Sequence, residues 1–353
     1  MSGLYIHIPF CERKCSYCAF YSVVSNDWKK QERFFQTLEK ELSGLPPDFA
    51  PETVFIGGGT PTAPGFQALE KFLPSLGKFR PMEFSVEVNP GTVDEAKLAL
   101  LKRSGVNRLS VGVQSFDFQC LETLGRIHSA EQAEAAFRLA RRVGFENMSV
   151  DLMFGVPGQT MQMLESDLDR ALALGPEHIA IYNLMYEAGT PMEARLDRLD
   201  EDLEREMYDR IRARLNAAGF VHYEISNFAK PGFECRHNLL YWTGGEYIGC
   251  GPAAHSHWNG VRWANVSDLD DYCANGPRRE FEETLGPEAK ERETRVMGLR
   301  LLAGVKVSSS GWKHLGECFQ ALEKQGLLVI EGRRVRLSEE ALFVSDSVFA
   351  ELV

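Results

Sequence analysis

Apolar positions along this chain follow two alternating rhythms. Short runs at residues 4–8, 53–56, 83–88, 109–113, 148–153 and 179–184 are crowded with Val, Ile, Leu and Met, as buried strands are. Between them, apolar residues three and four apart predict helices over 30–42, 65–76, 93–103, 160–174 and 201–218. A further helical stretch reaches Val143 and is predicted to break near Ile127-His128-Ser129. The strand runs are close to continuously apolar, which suits parallel strands covered on both faces. Successive strand–helix units predict an α/β fold, built as a parallel barrel or a doubly wound sheet. About six units are too few to close a full barrel, so the expected architecture is a partial, open parallel β/α barrel.

Past Val221 the rhythm changes. Residues 221–227 and 241–263 are rich in Gly, His and aromatic side chains and are predicted to be irregular. From about residue 287 a smaller unit follows, with helices over 291–302 and 311–325, then strands 327–330 and 334–337 turning at Glu331-Gly332. That order predicts a small α+β, winged-helix-like domain. The expected division is a core barrel over 1–230, a connecting segment over 231–286 and a C-terminal covering domain over 287–353. A length of 353 residues accommodates one large and one small unit.

Composition narrows the functional classes. A content of 44% hydrophobic and 25% charged residues is ordinary for a soluble protein. The formal charge of −11 argues against a nucleic-acid partner, and so against DNA binding by the C-terminal unit. Eight cysteines without framework spacing fit a reducing compartment. The N-terminus lacks a signal-peptide pattern, and no long apolar run occurs. The expected location is the cytoplasm, with no transmembrane segment.

Directly after the first predicted strand stand Cys11, Cys15 and Cys18, spaced C-x3-C-x2-C. Thiolates are the usual ligands of a [4Fe-4S] cube, and three on one loop leave one iron open to a further ligand. A zinc site would want a fourth Cys or His nearby, where the chain has Ala19, Phe20 and Tyr21; zinc and unconnected thiols stay as alternatives. In a parallel barrel, functional groups collect at the C-terminal ends of the strands. There stand the run Gly57-Gly58-Gly59-Thr60-Pro61-Thr62, whose bare backbone admits a ligand, and Glu87, Gln114 and Asp151. Singly, each suits a tight turn or a satisfied polar group. Together at one edge they suit a charged, hydroxyl-rich small molecule.

These residues carry a resemblance. The run Tyr5-Ile6-His7-Ile8-Pro9-Phe10-Cys11, the triplet and the glycine run are similar to the radical S-adenosylmethionine (radical SAM) superfamily. Ser85-Val86-Glu87-Val88-Asn89-Pro90, Val113-Gln114-Ser115-Phe116, Leu124-Gly125-Arg126 and residues 151–160 extend the likeness, which resembles the oxygen-independent coproporphyrinogen-III oxidase-like proteins over nearly the whole chain. The resemblance implies that Cys11, Cys15 and Cys18 hold a [4Fe-4S] cluster whose open iron chelates S-adenosylmethionine. One electron from the cluster could then release a 5′-deoxyadenosyl radical. Tyr5, Tyr17, Gly58 and Glu87 match contacts to that cofactor. Gly59, Thr60, Gln114, Arg126 and Asp151 match contacts to a second cofactor molecule.

Two departures set the chain apart from the oxidases. Phe20 stands where they carry a fourth cysteine, and the first strand begins almost at Met1, without their N-terminal extension. The segment Cys235-Arg236-His237-Asn238-Leu239-Leu240-Tyr241-Trp242 resembles the HNxxYW motif of a haem chaperone branch. Haem iron accepts imidazole and the macrocycle packs on aromatic rings, so His237, Tyr241 and Trp242 are the expected haem contacts. His255 and His257 are rival ligands, as are the thiols of Cys235 and Cys250. The expected function is a haem chaperone that passes haem to an acceptor protein, membrane-associated or not, with an electron donor needed if the cofactor is cleaved. The rivals are an oxygen-independent coproporphyrinogen-III oxidase, a radical enzyme with another substrate, and a zinc protein.

Overall fold

Six parallel strands form the heart of the computed structural model, which describes residues 2–352: β1 (Ser2–Ile8), β2 (Thr53–Gly58), β3 (Glu83–Val88), β4 (Arg108–Gln114), β5 (Asn147–Phe154) and β6 (His178–Asn183). Each pairs in parallel with the next. The helices that follow these strands include α1 (Trp28–Ser43), α2 (Phe66–Phe72), α3 (Glu95–Arg103), α4 (Phe118–Thr123), α5 (Ala130–Val143), α6 (Met161–Ala173) and α7 (Glu201–Ala217). The expected open, partial β/α barrel is the fold observed. Local chemistry starts the helices where they begin. Asp27 accepts from the Lys29 and Lys30 N–H groups, and Ser129 with Gln132 forms a capping box.

Successive side chains of a strand point to opposite faces. Leu4, Ile6, Val54, Ile56, Val86, Leu109, Val150 and Ile179 join Phe34, Leu38, Leu98 and Phe137 of the helices in one buried core. The other face is polar. Register places Glu87 beside Ser110, Ser110 beside Ser149, and Ser149 beside His178. The strands are therefore not continuously apolar, as expected, but half polar, with the polar half turned into the barrel.

The stretch predicted to be irregular is instead strand-rich. After β7 (Val221–Glu224) and β8 (Asn227–Ala229) comes α8 (Arg236–Trp242), then β9 (Glu246–Cys250), β10 (His255–Trp258), β11 (Val261–Asn265) and β12 (Arg279–Thr284). The sheet order is β12-β11-β10-β9-β1-β2-β3-β4-β5-β6-β8-β7. Strand β9 returns to pair in parallel with β1, Leu4 opposite Ile248, and so puts an aromatic segment beside the first strand.

At the C-terminus, α9 (Pro287–Gly298) and α10 (Ser309–Lys324) flank β13 (Val305–Lys306), which joins the hairpin of β14 (Leu328–Glu331) and β15 (Arg334–Leu337) in a three-stranded sheet. The turn holds Gly332 at φ 64°. Backbone bonds from Leu302 to Tyr223 and from Ile225 to Arg300 tie this unit to β7. Among the described residues, no helix is long and apolar enough to cross a membrane.

Candidate cluster and cofactor site

The loop after β1 is held in shape before any ligand is considered. Phe10–Cys11 pairs in parallel with Val23–Val24, which closes residues 12–22 into a loop. Ser16 donates from its backbone to Leu124 and from its hydroxyl to Thr123, and accepts from Met192 N–H. The glycine turn at the end of β2 clamps the loop from the side, with Gly59 N–H to Ile8 O at 2.9 Å and Thr60 N–H to Phe10 O at 2.7 Å. Close approach explains the glycines. Gly58 has φ 112°, and a Cβ on Gly59 would stand 2.8 Å from the Pro9 and Phe10 backbone.

A cavity of about 470 Å³ opens at this end of the barrel. Cys11, Cys15 and Cys18 line it together with Tyr17, Gly58, Gly59, Thr60, Glu87, Gln114, Arg126 and Asp151. These residues come from the cysteine loop, the C-terminal halves of four strands with the glycine turn, and the turn after α4. Gln114 reaches the cavity through a β-bulge at Gly112–Gln114 and a left-handed backbone, φ 66°. Tyr5 is the exception. It does not line this cavity; its hydroxyl sits 3.1 Å from His7 Nδ1 and its ring stacks on Phe55.

Electrostatics inside the cavity are unbalanced toward acceptors. Burial, and then the Asp151 carboxylate, push Glu87 up to about 8, against the opposing pull of the Gly58 N–H. Burial also raises Asp151, although the Ser149 and Ser110 hydroxyls donate to it at 2.7–2.9 Å. Arg126 Nη1 lies 3.5 Å from Cys15 Sγ and its Nη2 donates to Gly112 O at 2.6 Å. Burial raises the Cys11 and Cys18 thiols and the Tyr17 phenol. Among the described residues, no three His, Cys, Asp or Glu side chains group as ligands of a single ion. A cube takes each thiolate on a different iron, so its ligands stand around it rather than meeting at one point.

A family model for the radical SAM superfamily matches residues 5–171. The heme chaperone HemW of Bacillus subtilis is 36% identical, covering 99% of this chain and 98% of its own. The heme chaperone HemW of Lactococcus lactis is 34% identical, covering 100% and 97%. The chain belongs to the HemW family of the radical SAM superfamily. Coproporphyrinogen III oxidase (HemN) of Escherichia coli, a radical SAM enzyme, shares its fold at 21% identity, with a TM-score of 0.85 over 99% of this chain and 89% of that one.

Superfamily membership implies a [4Fe-4S] cluster and S-adenosylmethionine, and the cavity suits them. Three thiols face a space that also holds a raised carboxyl, and the Arg126 Nε and Asn183 Oδ1 atoms on its wall are buried without partners. Unpaired donors and acceptors of this kind suit a polar ligand. Tyr182, Asn183, Met153 and Met185 also line the cavity and were missed in the sequence. Tyr182 and Asn183 end β6, as Glu87 comes near the end of β3, so position at a strand end was their available signal.

In this HemW family member the HNxxYW motif forms α8, and its histidine turns away from solvent. His237 is 1% exposed. Its Nδ1 lies 2.8 Å from Thr53 Oγ1 and its Nε2 2.8 Å from the Tyr241 hydroxyl, while the ring stacks on Phe55. The Glu83 carboxylate caps the helix start, accepting from the Arg236 and His237 N–H groups at 3.0 Å each and from Cys235 Sγ at 3.6 Å. Thr53 and Glu83 begin their strands, so His237 packs at the end of the barrel opposite the cysteine loop. Burial drives its pKa down to about 3. Both ring nitrogens of His237, the expected haem ligand, are already bonded inside the protein, so ligation by this ring would require one of those bonds to break. Cys235 and Cys250 are likewise sealed, and burial pushes Cys235 up to about 12.

Tyr241 and Trp242, by contrast, line a second cavity of about 580 Å³. Tyr5, Tyr21 and Tyr247 share its wall, and Ala19 and Phe20 border both cavities. Phe20 is 71% exposed.

Proposed function

We propose that this protein is a haem chaperone of the HemW type. A cytoplasmic protein in this reading, it carries haem as cargo, keeps a [4Fe-4S] cluster and S-adenosylmethionine in the barrel mouth, and hands haem to an acceptor protein, membrane-associated or not. The observation that carries this reading is the end-to-end relationship to HemW relatives. Residues 1–230 are the cluster-binding core in this reading, 231–286 carry the haem-facing aromatic wall, and 287–353 cover it.

Cys11, Cys15 and Cys18 are the cluster ligands we assign. Tyr17, Gly58, Gly59, Thr60, Glu87, Gln114, Arg126 and Asp151 contact S-adenosylmethionine. When bound, the cluster would supply an electron able to open the cofactor's sulfonium bond, and an external electron donor would be needed if the cofactor is cleaved. The chain's own contributions are specific. Arg126 sets a fixed cation beside Cys15, Glu87 and Asp151 offer acceptors to hydroxyls and to positive charge, and the glycine turn keeps side chains out of the contact. Tyr241 and Trp242 offer aromatic faces to a flat macrocycle. Phe20, in place of a fourth cysteine, favours this reading over a coproporphyrinogen oxidase.

The test is anaerobic purification with iron, sulfide and haem quantified on one sample. About four iron and four sulfide per chain, with haem taken up at one equivalent, is the expected result. Incubation with coproporphyrinogen, S-adenosylmethionine and a reductant should leave the substrate intact. Accumulation of decarboxylated product would assign the oxidase reaction instead.

A further inference from the structure

The second cavity contains a donor set that the HNxxYW motif does not include. Three histidines line it: His7, His255 and His257. Two of them have no free acceptor nitrogen, although the Nε2 of His257 is buried without a hydrogen-bond partner. His7 places Nδ1 3.1 Å from the Tyr5 hydroxyl and Nε2 2.9 Å from Tyr21 O. His257 is 3% exposed, and its Nδ1 lies 3.2 Å from Lys290 Nζ. An ammonium only donates, so the acceptor nitrogen of His257 is taken. His255 differs from both. It stands two residues before His257 on the same face of β10, it is exposed, and its ring makes no hydrogen bond or ion pair among the described residues.

The rest of the cavity suits a flat, anionic-edged ligand. Its walls are aromatic, with Tyr241 packed edge-on against Tyr247 at 4.6 Å. Two groups are suited to a carboxylate. Lys290 brings a cation, shared with the Glu293 carboxylate 3.8 Å away on the same wall, and Trp242 Nε1 is a buried donor without a partner. The volume of about 580 Å³ falls in the range of sites that enclose a sizeable organic ligand. The exposed Phe20 ring at the border would be covered by such a ligand.

We infer that this cavity is the haem seat and that His255 supplies the axial imidazole to the iron, while Lys290 and the Trp242 indole N–H receive a propionate. The inference rests on the haem chaperone reading and makes His237 a positioning residue, which holds the Tyr241 hydroxyl and thereby the aromatic wall.

The experiment is titration of ferric haem into the full-length, cluster-loaded protein, followed by absorption in the Soret region. His255→Ala should weaken binding by about tenfold or more and move the absorption maximum, and imidazole added to His255→Gly should restore the wild-type spectrum. Lys290→Glu should weaken binding severalfold without moving the maximum, because it touches the edge and not the iron. A His255→Ala protein with wild-type affinity and spectrum overturns the inference while leaving haem binding by the wild type intact. So does a folded His237→Gln variant, checked by circular dichroism, that loses the wild-type spectrum while His255→Ala keeps it. Failure of the wild type to bind haem at all would overturn the chaperone reading itself.

Discussion

The imidazole of His237 is locked between two hydroxyls, Thr53 Oγ1 at 2.8 Å on one nitrogen and Tyr241 at 2.8 Å on the other. This joins α8 to the first residue of β2, and Glu83 adds the backbone half of the joint. Replacing the ring by a methyl group leaves two hydroxyls without their partner and opens space beside Phe55. His237→Ala should therefore lose about 2–4 kcal/mol of stability. Urea unfolding of the purified variant checks this, and an unchanged midpoint would contradict the buried placement.

The same burial predicts an acid sensitivity. His237 is held to about 3, and His7, His128 and His222 to about 4, in each case chiefly by burial. An unfolded chain takes up protons on these rings near pH 6.5, while the folded chain refuses them. Between about pH 6.5 and 4 the unfolded state thus binds more protons, and stability falls as pH falls. The thermal midpoint of the ligand-free protein should drop steadily over that window. In His237→Asn the drop should be shallower, because one of the refusing groups is gone. Parallel pH profiles for the two proteins would count against the assignment.

What the sequence made legible follows from local physics. The outward halves of the barrel strands, Ile6, Val54, Val86, Leu109 and Val150 among them, share one apolar core, and their runs gave away the six units. The inward halves were harder to see. Ser149 and His178 carry no local signal, and only the register aligns them across neighbouring strands. Strand β9 was missed because its pairing with β1 is non-local: it is short and glycine-containing, and β1 lies more than two hundred residues away. Strands β10 and β11 pair locally across Asn259-Gly260, a hairpin signal that was available in the sequence. Most of the barrel-mouth residues assembled as expected, since a strand end can be located from the sequence. Tyr5 and His237 went elsewhere because their neighbours, His7 with Phe55 and Thr53 with Tyr241, are set by packing rather than by spacing.

Glu87 predicts how cofactor binding depends on pH. With its carboxyl raised to about 8 by burial and by Asp151, the ligand-free protein holds a proton there at neutral pH. From about pH 4.5 to 8 the folded state binds that proton and the unfolded state does not, so this group's contribution to stability falls as pH rises. A ligand that brings hydroxyl donors or positive charge prefers the ionised form. Affinity for S-adenosylmethionine should rise with pH up to about 8, by as much as tenfold per unit, and then level off. Equilibrium binding at several pH values checks the slope. Glu87→Gln should bind more weakly and respond less to pH; a variant with the wild-type slope would remove Glu87 from the cofactor contacts.

Gly59 makes the contact between the glycine turn and the cysteine loop testable. The loop reaches Cys11 directly after Phe10, and the turn grips it through the Gly59 and Thr60 N–H groups. A methyl group at Gly59 would stand 2.8 Å from rigid backbone atoms of Pro9 and Phe10, a contact that no side-chain rotation relieves. The turn or the loop must then move, and Cys11 moves with it. Because the clash is at the barrel rim, the core strands should stay paired. Gly59→Ala should keep its far-ultraviolet circular dichroism but retain well under half of the wild-type iron and sulfide after anaerobic reconstitution. Gly65→Ala, where an added Cβ meets nothing within 4 Å, is the matched control and should load like the wild type. Equal loading of Gly59→Ala would mean that the three thiols do not depend on this turn for their position.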